Sequence, residues 1–329
     1  QSSSPSATVT PPALTTLVAQ APTPGPTLSP VVHLMAVGDI MLAGTISDTL
    51  MAQGPQSVFA GVAFVFETAD LLVGNLECAI SNRGEPEPKR YTFRAPPLAA
   101  DALLPFDVLG LANNHSLDYG PNALADTRQL LTERNIAAVG VGDNEPEARS
   151  PVIVERNGLR LAFLAYVDVP VETLTQFDTR SWLATDSTPG VAWADLDHLT
   201  ADVQAARAKA DLVIVLMHFG WESHAVIRAQ RLAAHAAIDA GAALVLGSHP
   251  HVLQNVEEYH GGLIAYSLGN FVFDNFSFPE NYSVIFTATL TSAGVDEYNW
   301  VPVVVENGLP RLATPEEAVE VLKRVQPLP

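Results

Sequence analysis

The chain has a single cysteine, Cys78, among 329 residues, so no internal disulfide can form. Free cysteine is usually buried and packs as a small apolar side chain, and that is the reading adopted for Cys78. Basic residues are scarce: 17 Lys and Arg stand against 36 Asp and Glu, a formal net charge of −19. Nucleic-acid binding needs clustered cations, and so does electrostatic adhesion to anionic lipid; the composition argues against both. A polyanionic substrate would be repelled at long range and would need a local cationic site, such as metal ions. No run reaches the roughly 18 apolar residues of a membrane span. A Walker-type loop and a Gly-rich dinucleotide fingerprint are absent. No G-x-S-x-G elbow supports a triad built on Ser248 or Ser267, and there is no internal repeat.

Charge is also missing locally. The first thirty residues carry none, and eighteen of them are Ser, Thr or Pro. Such a stretch cannot bury a core and reads as a flexible, partly polyproline spacer over residues 1–30. The chain opens at Gln1, not Met. The expectation is a removed signal or lipid-anchor segment, with the spacer holding an extracytoplasmic catalytic domain off a membrane or wall; a cut inside a natural disordered tail is the alternative. Residues 31–329 are expected to form one domain.

What is present is a large apolar fraction, 48%, with only 16% charged residues. Strands are predicted at Val31–Val37, Leu71–Val73, Asp107–Leu111, Ile136–Val139, Leu212–Met217, Ala243–Leu246, Ser283–Thr291 and Trp300–Glu306. Helices are predicted at Val58–Ala69, Pro96–Leu104, Pro121–Arg134, Asp195–Ala210, Ala225–Ala240 and Thr314–Val325, the last with Thr314 as N-cap and Glu317 three residues on. Asn157-Gly158 joins Val152–Glu155 to Leu159–Val167 as a hairpin, and a second hairpin joins Val252–Tyr259 to Leu263–Ser267 across Gly261-Gly262. Pro170 to Gly190 reads as an irregular loop. Strand–helix alternation interrupted by hairpins predicts an α/β protein, a pair of mixed sheets with helices outside, rather than one parallel sheet.

Six hydrophobic runs end in metal-binding or acid–base residues: Gly38-Asp39-Ile40-Met41, Gly74-Asn75-Leu76-Glu77, Ala112-Asn113-Asn114-His115, Met217-His218-Phe219-Gly220, Gly247-Ser248-His249-Pro250-His251 and Ser267-Leu268-Gly269-Asn270. In open α/β sheets sites form beyond the carboxyl ends of strands. Six such ends point to one site assembled from many loops, with the donors a hydrolytic metal centre needs. His249 and His251, stiffened by Pro250, can reach adjacent metals. His218 ends a strand. A carboxylate at Asp39 is costly unless paired or metal-bound. Glu77 is a ligand or caps the next helix. Asn114 offers an amide oxygen, and His115 is the usual kind of acid or base near neutral pH. His33, His198, His235 and His260 read as background, and His224 could line the cleft. On an extended segment Arg90, Thr92 and Arg94 share one face, suited to a carboxylate or phosphate; local pairing of these arginines with Glu85 or Glu87 is the alternative.

Together these segments resemble the CapA, or poly-γ-glutamate capsule synthesis protein, family. The resemblance rests on Val37-Gly38-Asp39-Ile40-Met41-Leu42, Gly74-Asn75-Leu76-Glu77, Tyr91-Thr92-Phe93-Arg94-Ala95-Pro96, Leu111 to Gly120, His218-Phe219-Gly220-Trp221-Glu222, Gly247 to Val252 and Tyr266 to Phe271. It implies a four-layer α-β-β-α sandwich like that of calcineurin-type metallophosphoesterases. It implies a cleft for one or two divalent ions (Mn, Fe or Zn). Asp39 would take the first aspartate position, Asn75 or Glu77 the bridging place, and His251 the first metal. Asn114, His218 and His249 would hold the second, with His115 as acid. The phosphoesterase first motif has a His where this chain has Met41, which weakens the first metal position.

The resulting expectation is an extracytoplasmic, metal-dependent hydrolase or transferase. Its substrate would be an anionic envelope polymer of the poly-γ-glutamate type, or a small phosphate or amide compound. Arg94, Arg90, Trp221, Glu222 and Asn270 are the candidate substrate contacts, Asp39 and His115 the catalytic pair, and membrane synthase proteins the candidate partners. Two alternatives remain: a non-catalytic polymer-binding envelope factor, and a broad phosphomonoesterase or diesterase.

Overall fold

Alternate residues of the long strands belong to different cores, and this sets the layering. In the strand Leu159–Asp168, Leu161, Phe163 and Ala165 join one apolar cluster, while Ala162, Leu164 and Tyr166 join a second. Side chains alternate across a strand, so this strand is buried on both faces. That explains why its sequence is continuously apolar. The computed structural model describes residues 30–172, 176–274 and 276–328. The expected spacer, apart from Pro30, lies outside the described residues.

The strands that matter here are β1 (Val32–Ile40), β2 (Leu71–Leu76), β3 (Val108–Gly110), β4 (Ala137–Val139), β5 (Val152–Arg156), β6 (Leu159–Asp168), β7 (Leu212–Phe219), β8 (Leu244–Ser248), β9 (Val256–Tyr259), β10 (Gly262–Ala265), β11 (Asn270–Val272), β12 (Tyr282–Thr291), β13 (Gly294–Glu306) and β14 (Leu309–Leu312). The first sheet has eight strands in the order β14-β13-β12-β1-β2-β3-β4, with β11 also paired to β1. The second has six, β9-β10-β8-β7-β6-β5. Both are mixed: β1-β2, β2-β3, β7-β8 and β6-β7 run parallel, whereas β1-β12 and β5-β6 run antiparallel.

Leu34, Ala36, Val73 and Leu109 of the first sheet share a core with Leu161, Phe163, Ile214 and Leu246 of the second. Outside the second sheet lie α1 (Leu196–Arg207) and α2 (Arg228–Asp239), whose Leu199, Val203, Ala233 and Ala237 pack on Val213, Val215 and Val245. The expected pair of mixed sheets with helices outside is therefore observed. A closing helix, α3 (Pro315–Leu322), starts with the expected capping box between Thr314 and Glu317. Asn157 and Gly158 take φ of 49° and 83°, as a two-residue hairpin turn requires.

Three local expectations change. Val58–Ala69 holds a single helical turn, Ala63–Phe66. Phe59 and Phe66 pack with Phe106 and Phe271, and a Cβ at Gly61 would lie 2.5 Å from the Pro310 carbonyl oxygen, so tertiary packing overrides helical spacing there. Pro97–Leu103 is a 3-10 helix. The second hairpin turns at His260-Gly261, both with positive φ, one residue before the expected pair.

Candidate metal centre

Parallel register places the first acidic group. Asp39 of β1 stands opposite Asn75 of β2 on one side and Asn270 of β11 on the other. The preceding residue must be glycine: a Cβ at Gly38 would lie 1.8 Å from the Gly269 carbonyl oxygen. Glu77 comes just after the end of β2, its N–H bonded to the Ile40 carbonyl at 2.8 Å. The turn after β3 delivers Asn113, Asn114 and His115. From the second sheet, His218 lies in register beside Ser248, and the loop after β8 supplies His249 and His251. These two histidines have φ of 94° and 56°. Positive φ at a residue with a Cβ costs on the order of 1–3 kcal/mol, and such strain concentrates at functional sites.

The loops converge on Glu77. Its Oε1 lies 3.9 Å from Nε2 of each of three imidazoles, those of His115, His218 and His251. Asp39, Glu77 and His251 bring one ligand atom each within 4.8 Å of one another. Glu77 is fully buried, yet neither of its oxygens has a hydrogen-bond partner, and His249 Nδ1 also lacks one. A buried, unbonded carboxylate is expensive. A divalent cation among these oxygen and imidazole donors would satisfy it, and the mixed O/N set suits Mn, Fe or Zn. The buried Asp/Glu/His group could therefore bind a metal ion.

Neighbouring side chains fix how the donors point. His251 Nδ1 lies 2.8 Å from Asn270 Oδ1, and His218 Nδ1 lies 2.9 Å from Ser248 Oγ. Bonds at Nδ1 orient each ring and leave Nε2 for other contacts; for His218 that contact is Asn114 Oδ1 at 2.7 Å. Asp39 accepts from Asn75 Nδ2 at 2.8 Å and from the His249 N–H at 3.2 Å. Asn75 Oδ1 in turn accepts from Asn113 at 3.1 Å. Asn75 thus has its oxygen engaged, whereas both Glu77 oxygens lack a hydrogen-bond partner.

His115 is held differently. Its Nδ1 lies 2.7 Å from Asp118 Oδ2, and Asp118 Oδ1 accepts from Lys89 Nζ at 2.6 Å. Both side chains of that ion pair are fully buried. Lys89 Nζ also sits 4.7 Å above the Trp182 ring.

Burial dominates the electrostatics. It raises the carboxyl of Asp39, and it raises Glu77 further, with Asp39 adding to the effect. Burial also lifts Asp118 to about 7 against the opposing pull of Lys89. The imidazoles of His115, His218 and His249 are driven well below their ordinary value by burial first and by neighbouring cationic groups second. They are therefore neutral at pH 7, the form in which imidazole binds metal. The Cys78 thiol is pushed up to about 12 by burial, as expected of a packing residue.

The structure brings together Asp39, Asn75, Glu77, Asn114, His115, His218, His249 and His251. Trp221 and Glu222 lie on an exposed turn after β7, lining a cavity of about 400 Å³ with Asn114, His224 and His249. Asn270, expected at the substrate, is fully buried and donates instead to the Glu280 carbonyl while facing His251. Arg94 does not share an extended face with Arg90: the strand there is only Arg94–Ala95. Its guanidinium donates to the carbonyls of Arg83 and Gly84 and stacks on Tyr119 at 4.1 Å. Arg90 stays exposed, 5.2 Å from the Tyr91 ring. Met41 is buried and its Sδ accepts the Ala43 N–H at 3.1 Å. Sequence reading alone misses the roles of Asn113, Asp118 and Lys89. The three-residue spacing from His115 to Asp118 is the signal that could have found one of them.

A family model described as bacterial capsule synthesis protein PGA_cap matches residues 33–275. The PGA biosynthesis protein CapA of Bacillus subtilis is 31% identical over 280 residues, covering 83% of this chain and 72% of that protein. The capsule biosynthesis protein CapA of Bacillus anthracis is 32% identical, covering 84% and 68%. A probable polyglutamine synthesis accessory protein of Mycobacterium tuberculosis is 34% identical, covering 62% and 56%.

Proposed function

The chain belongs to the PGA_cap family of bacterial capsule synthesis proteins, and we propose that it is a metal-dependent hydrolase or transferase working on an anionic envelope polymer of the poly-γ-glutamate type, outside the cytoplasm. One observation carries this reading: the Glu77 carboxylate is buried without a hydrogen bond and ringed by three Nε2 atoms at 3.9 Å. Asp39, Glu77 and His251 would hold one divalent ion; Asn114, His218 and His249 would hold a second beside the same Glu77. When bound, such ions supply Lewis acidity toward a phosphoryl or acyl oxygen.

The chain's own residues supply the proton chemistry. With its Nδ1 proton donated to Asp118, His115 presents an Nε2 lone pair toward the cluster. Burial keeps that imidazole neutral, so His115 first accepts a proton from the attacking group and then returns it to the leaving group. Neutral at pH 7, it enters as the proton acceptor, and the Asp118 carboxylate beside Nδ1 offsets the cost that burial places on the imidazolium. Lys89 keeps Asp118 in place, and Asp118 fixes the ring.

The test is to incubate protein loaded with manganese, iron or zinc with poly-γ-glutamate, alongside a chromogenic phosphate ester. New polymer ends, lost on chelation and in His115→Ala, support the reading. Turnover of the ester alone would favour a general phosphoesterase. A second reading, a polymer-binding factor without turnover, draws on Met41, whose buried thioether stands where a metal-binding His is expected. Polymer binding that survives full chelation, without turnover, would favour it.

A further inference from the structure

We propose that the cavity beside the metal group binds an ammonium-bearing group of the substrate, seated on the indole of Trp221 and paired with the carboxylate of Glu222. Its place in catalysis rests on the reading of the buried cluster as the reaction centre, while the binding itself does not.

The cavity is about 400 Å³, enough for a small group. Asn114 and His249 join it to the metal group, and Trp221, Glu222 and His224 line it with the apolar Val169–Val171 segment. Among its described lining residues there is no Lys or Arg, and the single carboxylate is Glu222. In the metal-free protein a carboxylate or phosphate would meet that like charge with no cationic side chain among the described lining residues to compensate it. An ammonium group would meet the opposite sign.

Trp221 is 61% exposed, although it carries the aromatic face best suited to a cation. The turn that presents it is fixed rather than loose. The Ser223 N–H donates to the Pro250 carbonyl at 2.8 Å, and Ser223 Oγ donates to Glu280 at 3.0 Å. Gln254 Nε2 donates to the His224 carbonyl at 2.9 Å. His224 meets the indole edge to face, with centroids 5.6 Å apart. The Ser223–Pro250 bond ties the turn to the His249-Pro250-His251 loop, so its backbone presents Trp221 and Glu222 at the cavity beside the centre. His249, 3% exposed, lines the same cavity and its Nδ1 has no hydrogen-bond partner.

The probe pair is choline and its uncharged carbon isostere, 3,3-dimethyl-1-butanol, titrated by calorimetry into the full chain as purified and again after chelation. Choline is expected to bind about tenfold more tightly than the isostere. Glu222→Gln is isosteric and exposed; it should erase most of that preference. Trp221→Ala should weaken both ligands. Equal affinity for the two probes, no binding of choline, or a preference unchanged in both variants would overturn the proposal. Preference for choline in the chelated protein would stand even if the metal reading failed, and a metal-loaded protein blind to charge would sink this inference alone.

Discussion

His115 Nδ1 lies 2.7 Å from Asp118 Oδ2, so the ring is aimed by a carboxylate three residues away. Asp118→Asn keeps the shape but removes the acceptor charge that sets the tautomer. Activity on the productive substrate is expected to fall about 10–100-fold in kcat, with KM and metal content little changed. A drop in metal content matching the drop in kcat would instead make Asp118 part of the metal site.

Lys89 and Asp118 form an ion pair with both side chains fully buried. Removing one partner of such a pair leaves the other uncompensated. Lys89→Met is expected to cost about 3–5 kcal/mol in denaturant unfolding. The double variant Lys89→Met/Asp118→Asn should regain most of it. Equal losses in the single and double variants would show that packing on Trp182, and not charge, is what Lys89 contributes.

The buried carboxyls and imidazoles give the metal-free protein a characteristic pH profile. Burial raises Asp39, Glu77 and Asp118. Their stabilisation is present below the unfolded value, about 4, and is lost as pH rises through the folded values. Burial lowers His115, His218 and His249. Their stabilisation is present above about 6.5 and is lost as pH falls toward the depressed values. Between about pH 6.5 and 8, then, the carboxyls dominate and the metal-free Tm should decline. A bound divalent ion favours ionised carboxylates and neutral imidazoles, so the Tm gain on adding manganese should be small at acidic pH and largest at alkaline pH. A gain independent of pH would contradict the assignment of these groups as ligands.

Gly38 has no room for a side chain, since a Cβ there would lie 1.8 Å from the Gly269 carbonyl oxygen. Gly38→Ala should destabilise the protein by about 1–3 kcal/mol or more and disturb Asp39, whose N–H bonds that same oxygen. Thermal unfolding together with metal content checks both effects. An unchanged metal content would mean that β1 and β11 separate without moving Asp39.

Much of this architecture is legible because the strands are buried on both faces. Continuous apolar runs such as Leu212–Met217 stop where the sheet ends, and the polar residues at those ends, His218 and Glu77 among them, meet in space. The illegible part lies in irregular backbone. Lys89 adjoins Arg90 in the sequence, but its side chain lies over the Trp182 ring and pairs with Asp118. Arg94 reads as free to bind an anion, yet it is engaged by two loop carbonyls and Tyr119. Asn270 ends a run as the ligand residues do, but its strand begins there, which turns the side chain toward His251 and Glu280. No hydrophobic period reports contacts of this kind between distant loops.

The central claim is that Glu77 anchors a metal ion. Elemental analysis of the protein, as purified and after loading with manganese, iron or zinc, tests it most directly when Glu77→Gln and His249→Ala are measured alongside. One or two ions per chain, reduced in both variants while the fold is retained, is the expected result. No bound metal after loading, or undiminished metal in Glu77→Gln, would contradict it.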